Sequence, residues 1–403
     1  MHLRLACFVA VGLVSGLLGA CGPSVAPDCT ATVSAGAGND QETVQSALVE
    51  AQAGDVLCFP AGTYRFTDEL TVDTPNLTLR GVQGETVFDF SEQVRGANGI
   101  QVLSDGFTIE GITVRDTPGD GIRASGVVGV TFRDVVVEWS GGPSEDNGSY
   151  GLYPVESKQV LIERCRVEGA SDAGIYVGQS EQIIVRDNVA LHNVAGIEIE
   201  NSKDAEVYGN HAYENTGGFL VFALPGLNVK WSETSRIHDN VFENNNTSNF
   251  APAGNIVGMV PAGTGAILLA TDRNEFFGNT VSGNGSVGVS VISYYVTGNN
   301  WDDAEYDPFP EGNFVHDNTF TDNGEAPDGI ASILIGDPPI PDLSWDGVVD
   351  ETKDKSDGSL TNCFKDNGDA DFINFAYGKP ASERSTDITR VTCSHDPLPE
   401  IRF

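Results

Sequence analysis

The chain has 403 residues, 40% of them hydrophobic and 20% charged, with 47 Gly and only two Met. That length holds two or three ordinary domains or one long repetitive one, and the composition excludes a disordered or collagen-like polymer. Against 58 Asp+Glu stand 22 Lys+Arg, a formal net charge of −36; phosphate backbones and anionic membrane surfaces are held by basic clusters that this sequence lacks, so nucleic acid is excluded as a partner.

In chain order, residues 1–20 read as a signal peptide. Arg4 supplies a cation, Leu5 to Gly19 is apolar and small, and the run is shorter than the roughly 20 residues of a membrane span. Leu18-Gly19-Ala20-Cys21 resembles the bacterial lipobox, which implies cleavage before Cys21 and a lipid on its sulfur. Residues 21–34 then form a lipidated tether. The chain is expected at the bacterial cell envelope, lipid-anchored, either periplasmic or on the outer-membrane surface. Export makes disulfides available. With Cys7 and Cys21 set aside, Cys29–Cys58 is expected to close the N-terminal region and Cys363–Cys393 the C-terminal one, leaving Cys165 a buried thiol.

From Asn39 to Ala51 the spacing of Val44, Ala47, Leu48 and Ala51 predicts a helix ending at Gly54, and Val56-Leu57-Cys58-Phe59 begins a first strand. From there a Gly followed by an apolar residue recurs at Gly99, Gly121, Gly151, Gly174, Gly196, Gly218, Gly265, Gly288 and Gly329. Most steps are 22 or 23 residues, the longer ones carrying insertions. Within a repeat the apolar positions alternate, as in Ile175, Val177, Ile183 and Val185, so each unit holds short strands. A unit this small cannot bury its own apolar face and must stack on copies of itself. The expected fold is all-β, a single-stranded right-handed parallel β-helix over residues 35–340, opened by the helix and closed by an irregular C-terminal cap segment at 341–403. A second register supports it: Asn188, Asn210, Asn240, Asn279 and Asn318, each with another Asn five residues on, read as amide ladders inside the turns. Ser157, Ser180 and Ser202 make a shorter stack.

The helix, Pro60-Ala61-Gly62-Thr63-Tyr64 and Leu77-Thr78-Leu79-Arg80-Gly81 resemble the opening of pectate-lyase-like right-handed β-helix proteins. The Gly-Ile and Asn repeats resemble the modules of mannuronan epimerases, polysaccharide lyases and the periplasmic copper-site maturation protein of nitrous oxide reductase. More narrowly, Gly151-Leu152-Tyr153-Pro154-Val155 and the segments from Gly169 to Ser180 and Ala195 to Ser202 look like a group of bacterial β-helix lipoproteins. The resemblance spans about residues 35–335. It implies binding, and processing by a lyase, epimerase or hydrolase, of polysaccharide along the outward sheet face.

If the residue after each Gly points inward, Gln101, Arg123, Tyr153, Tyr176, Glu198, Leu220, Ile267 and Ser290 form one outward column. Leu103, Ser125, Val155, Gly178, Glu200, Phe222, Leu269 and Ile292 form a second. Arg123 is then a candidate for stabilising an enolate-like intermediate, with Tyr176 or Tyr153 as the base. Alternatively Glu198 and Glu200 are an acid and base for glycoside hydrolysis. Gln101, Phe222 and Trp231 are candidate substrate-binding residues. Insertions at 141–150, 222–231, 246–264 and 295–312 adjoin this face, and Gly178 leaves room beside Glu200. The four histidines His192, His211, His238 and His316 are expected to pack or cap turns. The composition of the loop at Asp302, Asp303, Glu305 and Asp307 suits Ca²⁺, a solvated acidic loop being the simpler expectation. No other cofactor or metal is expected.

The apolar column Leu220, Phe222, Ile267, Leu269 and Ile292 supports a second reading, a non-catalytic scaffold docking another exported protein. The chain is expected to be monomeric. Acidity is uneven: residues 241–352 hold one cation, Arg273, against 17 Asp/Glu, whereas 96–240 hold ten Lys/Arg against 21. That disfavours acidic polysaccharide in favour of neutral glycans.

Overall fold

The computed structural model describes residues 28–36 and 38–403; the expected signal peptide, Cys21 and residues 21–27 of the tether lie outside the described residues. The chain winds into a parallel β-helix whose coils contribute one strand each to three parallel sheets of twelve, eleven and ten strands. The helix Asp40–Glu50 covers the first coil and buries Val44 and Leu48 against it. Asn39 makes no side-chain cap bond to it. Instead Asp40 accepts from the Gly36 amide at 2.8 Å and fastens the helix to the chain before it. Among the described residues, no helix is long and apolar enough to cross a membrane.

The interior is a single apolar column running the length of the stack, where rings from the three sheets meet, as Phe219, Phe242 and Phe276 do. The Asn ladders sit at its corners. Each amide nitrogen donates to the next coil's amide oxygen, as from Asn188 to Asn210 at 2.9 Å and from Asn210 to Asn240 at 2.9 Å. The second ladder runs from Asn193 through Asn215, Asn245 and Asn284 to Asn323. The residue before each ladder Asn adopts left-handed backbone, including Asp187, Asp239 and Asp317 in one ladder and His192, Glu214 and Asn244 in the other. Such a bend points carbonyls away from the sheet ladder, and the Asn amide satisfies them. A third ladder, Asn274 to Asn313 to Asn362, was not anticipated. The Ser157, Ser180 and Ser202 stack is present.

Cys29 is bonded to Cys58 on the first coil and Cys363 to Cys393 on the last. Cys165 is a buried thiol. The expected boundary at 340 falls inside the stack, because Leu343–Trp345, Cys363–Lys365 and Phe372–Asn374 continue two of the sheets. The Gly-apolar signature fades there while the backbone pairing persists. The histidines also differ from expectation. His211, His238 and His316 lie on strands rather than in turns. His238 and His316 join Tyr208 and Phe277 in an outward stack of rings about one coil apart.

Candidate functional site: a covered cleft on the eleven-stranded sheet

The strands Tyr150–Val155, Ala173–Gly178, Ala195–Glu200, Gly217–Phe222, Thr264–Leu269 and Val287–Ile292 follow one another in the eleven-stranded sheet. Their register pairs Gln101 with Arg123, Arg123 with Tyr153, and Tyr176 with Glu198, then Leu220, Ile267 and Ser290. Up to Tyr150–Val155 the outward positions are half exposed. From Ala173 onward the strands are buried on both sides.

Three insertions make the cover. Residues 246–263 lie over the sheet, held by Asn249, whose amide donates to the carbonyls of Val257 and Val260 at 2.9 and 3.0 Å. Gly217 lets this loop down, since a Cβ there would stand 3.0 Å from the Val260 side chain. The short helix Gly329–Leu334 packs beside it, capped at its start by Asp328 and gripped at its end by Arg384, which donates to the carbonyls of Leu334 and Ile335. The turn Tyr294–Thr297 completes the rim. The apolar column expected as a docking surface is therefore not exposed: Leu220, Phe222, Ile267 and Ile292 are buried beneath these insertions, and Leu269 is half-buried. The scaffold reading loses the surface on which it rested.

Beneath the cover is a half-open cavity of about 190 Å³. One end is polar, formed by Tyr150, Asp172, Tyr176, Glu198 and Glu200. The other is apolar, with Leu220, Phe222, Ile267 and Leu269 as its floor and Val257, Val260, Ala331 and Ile335 as its roof. Glu198 is 2% exposed and Glu200 6%. The Tyr176 hydroxyl donates to Glu200. The space expected beside Glu200 is taken up by this ring, because a Cβ on Gly178 would strike the Tyr176 hydroxyl at 2.4 Å. The Tyr150 hydroxyl donates to Asp172 at 3.4 Å, and the Tyr150, Tyr153 and Tyr176 rings pack with centroids 4.4 to 4.9 Å apart. Among the described residues, Oε1 of Glu198 has no hydrogen-bond partner although it is buried.

Burial dominates the electrostatics. It pushes Glu200 up to about 7, against the Tyr176 hydrogen bond, and Asp172 up to about 7 with help from the Glu200 charge. Glu198 is driven well above the ordinary carboxylate range by burial and then by Asp172 and Glu200. The same burial and the nearby acids raise the hydroxyls of Tyr150 and Tyr176, and burial raises that of Tyr153. These phenols are therefore hydrogen-bond donors at neutral pH, not the bases expected of Tyr153 and Tyr176. Arg123 stacks over the Tyr153 ring, 5.0 Å from its centroid, and donates to Ser125. It lies at the open side of the site and does not line the cavity.

Gln101 sits beyond Arg123 and bonds to Asn98; Trp231 is exposed on its loop; neither lines the cavity, whereas Phe222 does. Tyr150 and Asp172 are absent from the outward columns read from the repeat: Asp172 precedes the strand Ala173–Gly178, and Tyr150 comes from a break in the alternation. Gly151 turns its face into the core, where a Cβ would meet the Val167 side chain at 2.3 Å and the Gly174 carbonyl at 2.6 Å. The residue before it consequently shares the outward side with the residue two after it. The acidic loop does not converge on a Ca²⁺ site: Asp303 accepts from Lys230 and from the Gly226 and Glu305 amides. Asp307 lies instead with Asp272 and Glu311, where Lys353 already bonds Asp307 and Glu311 at 2.5 Å.

A family model described as the right handed beta helix region matches residues 78–229. Among solved structures, the A-module of an Azotobacter vinelandii mannuronan C-5 epimerase is similar over 84% of this chain and 94% of its own, with TM-score 0.55 and 16% identity. A second A-module of that organism's epimerases covers 81% and 89%, with TM-score 0.48 and 16% identity. A hyperthermoactive exopolygalacturonase from Thermotoga maritima covers 70% and 82%, with TM-score 0.45 and 11% identity. No curated protein matches the sequence. The family match and the likeness to the first module agree with the observed topology: the fold is a right-handed parallel β-helix.

Proposed function

We propose that this is a carbohydrate-active β-helix protein that hydrolyses a glycosidic bond at Asp172, Glu198 and Glu200. The observation that carries the reading is three buried carboxyl groups lining one cleft, Asp172, Glu198 and Glu200, with burial pushing Asp172 and Glu200 up to about 7. The similar β-helix structures named for epimerase and exopolygalacturonase activities support a glycan as substrate. Lyase and epimerase chemistry on a uronate require its carboxylate to be neutralised. Here three acids surround the site and the nearby cation, Arg123, stacks on Tyr153 outside the cavity. Hydrolysis of a non-anionic glycan suits that field better.

In this reading Glu198, held protonated by burial, donates to the leaving oxygen, and Glu200, oriented by Tyr176, takes the proton from the attacking water. Asp172 keeps Glu198 protonated. The half-exposed strands bearing Arg123 and Tyr153 receive the sugar, the tyrosine ring offering a flat apolar face. The cover stops a polymer from continuing along the sheet, so action is at a chain end. Two disulfides support an oxidising compartment, and we place the chain at the cell envelope, held by lipid on Cys21.

Neutral and amino-bearing oligosaccharides should yield new reducing ends without unsaturated sugar products. Glu198→Gln, which keeps the shape but cannot give up a proton, should lower the rate by a factor on the order of 10²–10⁴. Unsaturated products from uronate polymers, or a fully active Glu198→Gln, would reject the reading.

A further inference from the structure

The cavity joins two chemistries in a fixed order. Along the strand register come Arg123 and Tyr153, then Tyr176 paired with Glu198, then Leu220 and Ile267. The apolar half is more than a sugar needs. Its lip is apolar too, formed by Leu224, Ile256, Met259, Val296 and Leu334, all half-buried, with Ile330 41% exposed. Such a surface is costly to leave facing water and marks a site for an apolar group. At the polar end the unpartnered Glu198 oxygen needs hydrogen bonding, and a saccharide, with hydroxyls that both donate and accept, meets that need whether the acid is protonated or not.

We infer that the substrate is a glycoside of a hydrocarbon, with its sugar against Tyr153, Tyr176 and the three acids and its alkyl chain in the cavity floored by Leu220, Phe222, Ile267 and Leu269. The inference rests on the proposed function for the place of the sugar and adds the nature of the group bonded to it. An anionic head meets repulsion from Asp172 and Glu200 once these ionise, at about pH 7 and above. The geometry also sets which bond is cut. The water oxygen bonds to the anomeric carbon and gives a proton to Glu200, the bond from that carbon to the exocyclic oxygen breaks, and the proton from Glu198 goes to that oxygen. A sugar and an alcohol leave, with the alcohol in the apolar half.

The test is calorimetric binding, below the micellar concentration, of an alkyl glucoside series from butyl to nonyl, with glucose, octanoate and octylamine as controls. Affinity should rise about fourfold per methylene, with no measurable binding of glucose alone and octanoate at least tenfold weaker than octyl glucoside. Met259→Gln, at the half-exposed lip, should weaken the longer members several-fold and leave the butyl member unchanged. Affinity independent of chain length, or octanoate or octylamine binding as tightly as octyl glucoside, overturns the inference. Chain-length-dependent binding without hydrolysis of any alkyl glycoside upholds this inference and rejects the hydrolase reading; hydrolysis of plain oligosaccharides with no gain from an alkyl group does the reverse.

Discussion

Glu198, Glu200 and Asp172 are acids that the fold holds in the wrong solvent. Their raised values mean that the unfolded chain loses its protons first as pH rises, so their contribution to stability is complete below about 4 and declines above it, for Asp172 and Glu200 until the folded groups ionise near 7. For Glu200 the loss is on the order of 3 kcal/mol. Thermal melting followed from pH 4 to pH 8 should therefore show Glu200→Gln overtaking the parent as pH rises; equal melting of the two at pH 8 would contradict the assignment. Glu198 and Glu200 were legible in the sequence because the repeat phase put them on the outward face. Tyr150 was not, because strict alternation turns it inward whereas close packing of coil on coil at Gly151 reverses the phase; nor was Asp172, which precedes its strand and so falls outside the run that the repeat phase covers. Nor was the burial of Tyr176, which depends on Gly178 giving way to its own neighbour's ring.

At the scale of single elements, the Asn ladders join the turns as firmly as the strands join the sheets. Asn245 donates to the Ala212 carbonyl at 3.2 Å and to the Asn284 oxygen at 3.1 Å, while its own oxygen accepts from the Asn215 backbone and side-chain amides. Asn245→Leu removes partners from buried groups on both adjacent coils and should cost about 2–4 kcal/mol in urea unfolding. Asn245→Asp, nearly identical in shape, should cost at least as much, since a carboxylate cannot donate to Asn284. A loss below 1 kcal/mol for both would mean that the ladder contributes little. These ladders could be read from spacing alone. The cover could not: residues 246–263 and 325–341 carry no periodicity, and only their packing on Phe222, Ile267 and Ile292 makes them the roof of a cleft.

For the whole molecule, charge and anchoring belong together. A strongly acidic body repels anionic bilayers, so in the envelope location proposed above, the lipid on Cys21 is what would attach it. Labelled palmitate should enter the full-length chain in a bacterial host and be absent from Cys21→Ala, with the protein passing from the membrane to the soluble fraction; membrane retention of Cys21→Ala would refute the anchor. A hydrocarbon-bearing substrate would be reached from the same bilayer.

The last residues have a mechanical meaning. The Leu398 amide donates to Glu275 and the Ile401 amide to Glu206, so this segment doubles back over four coils already in place and bonds to two of them. Solenoids are ordinarily chains of nearest-neighbour contacts that fray from an end, one coil at a time. Here the final coil is tied by Cys363–Cys393 and the returning tail bolts it to earlier ones, as a thread knotted at its finish keeps a row of stitches from running. A load on this segment is shared among several coils, and Arg384 of the same segment passes it to the roof over the cleft through its bonds to Leu334 and Ile335.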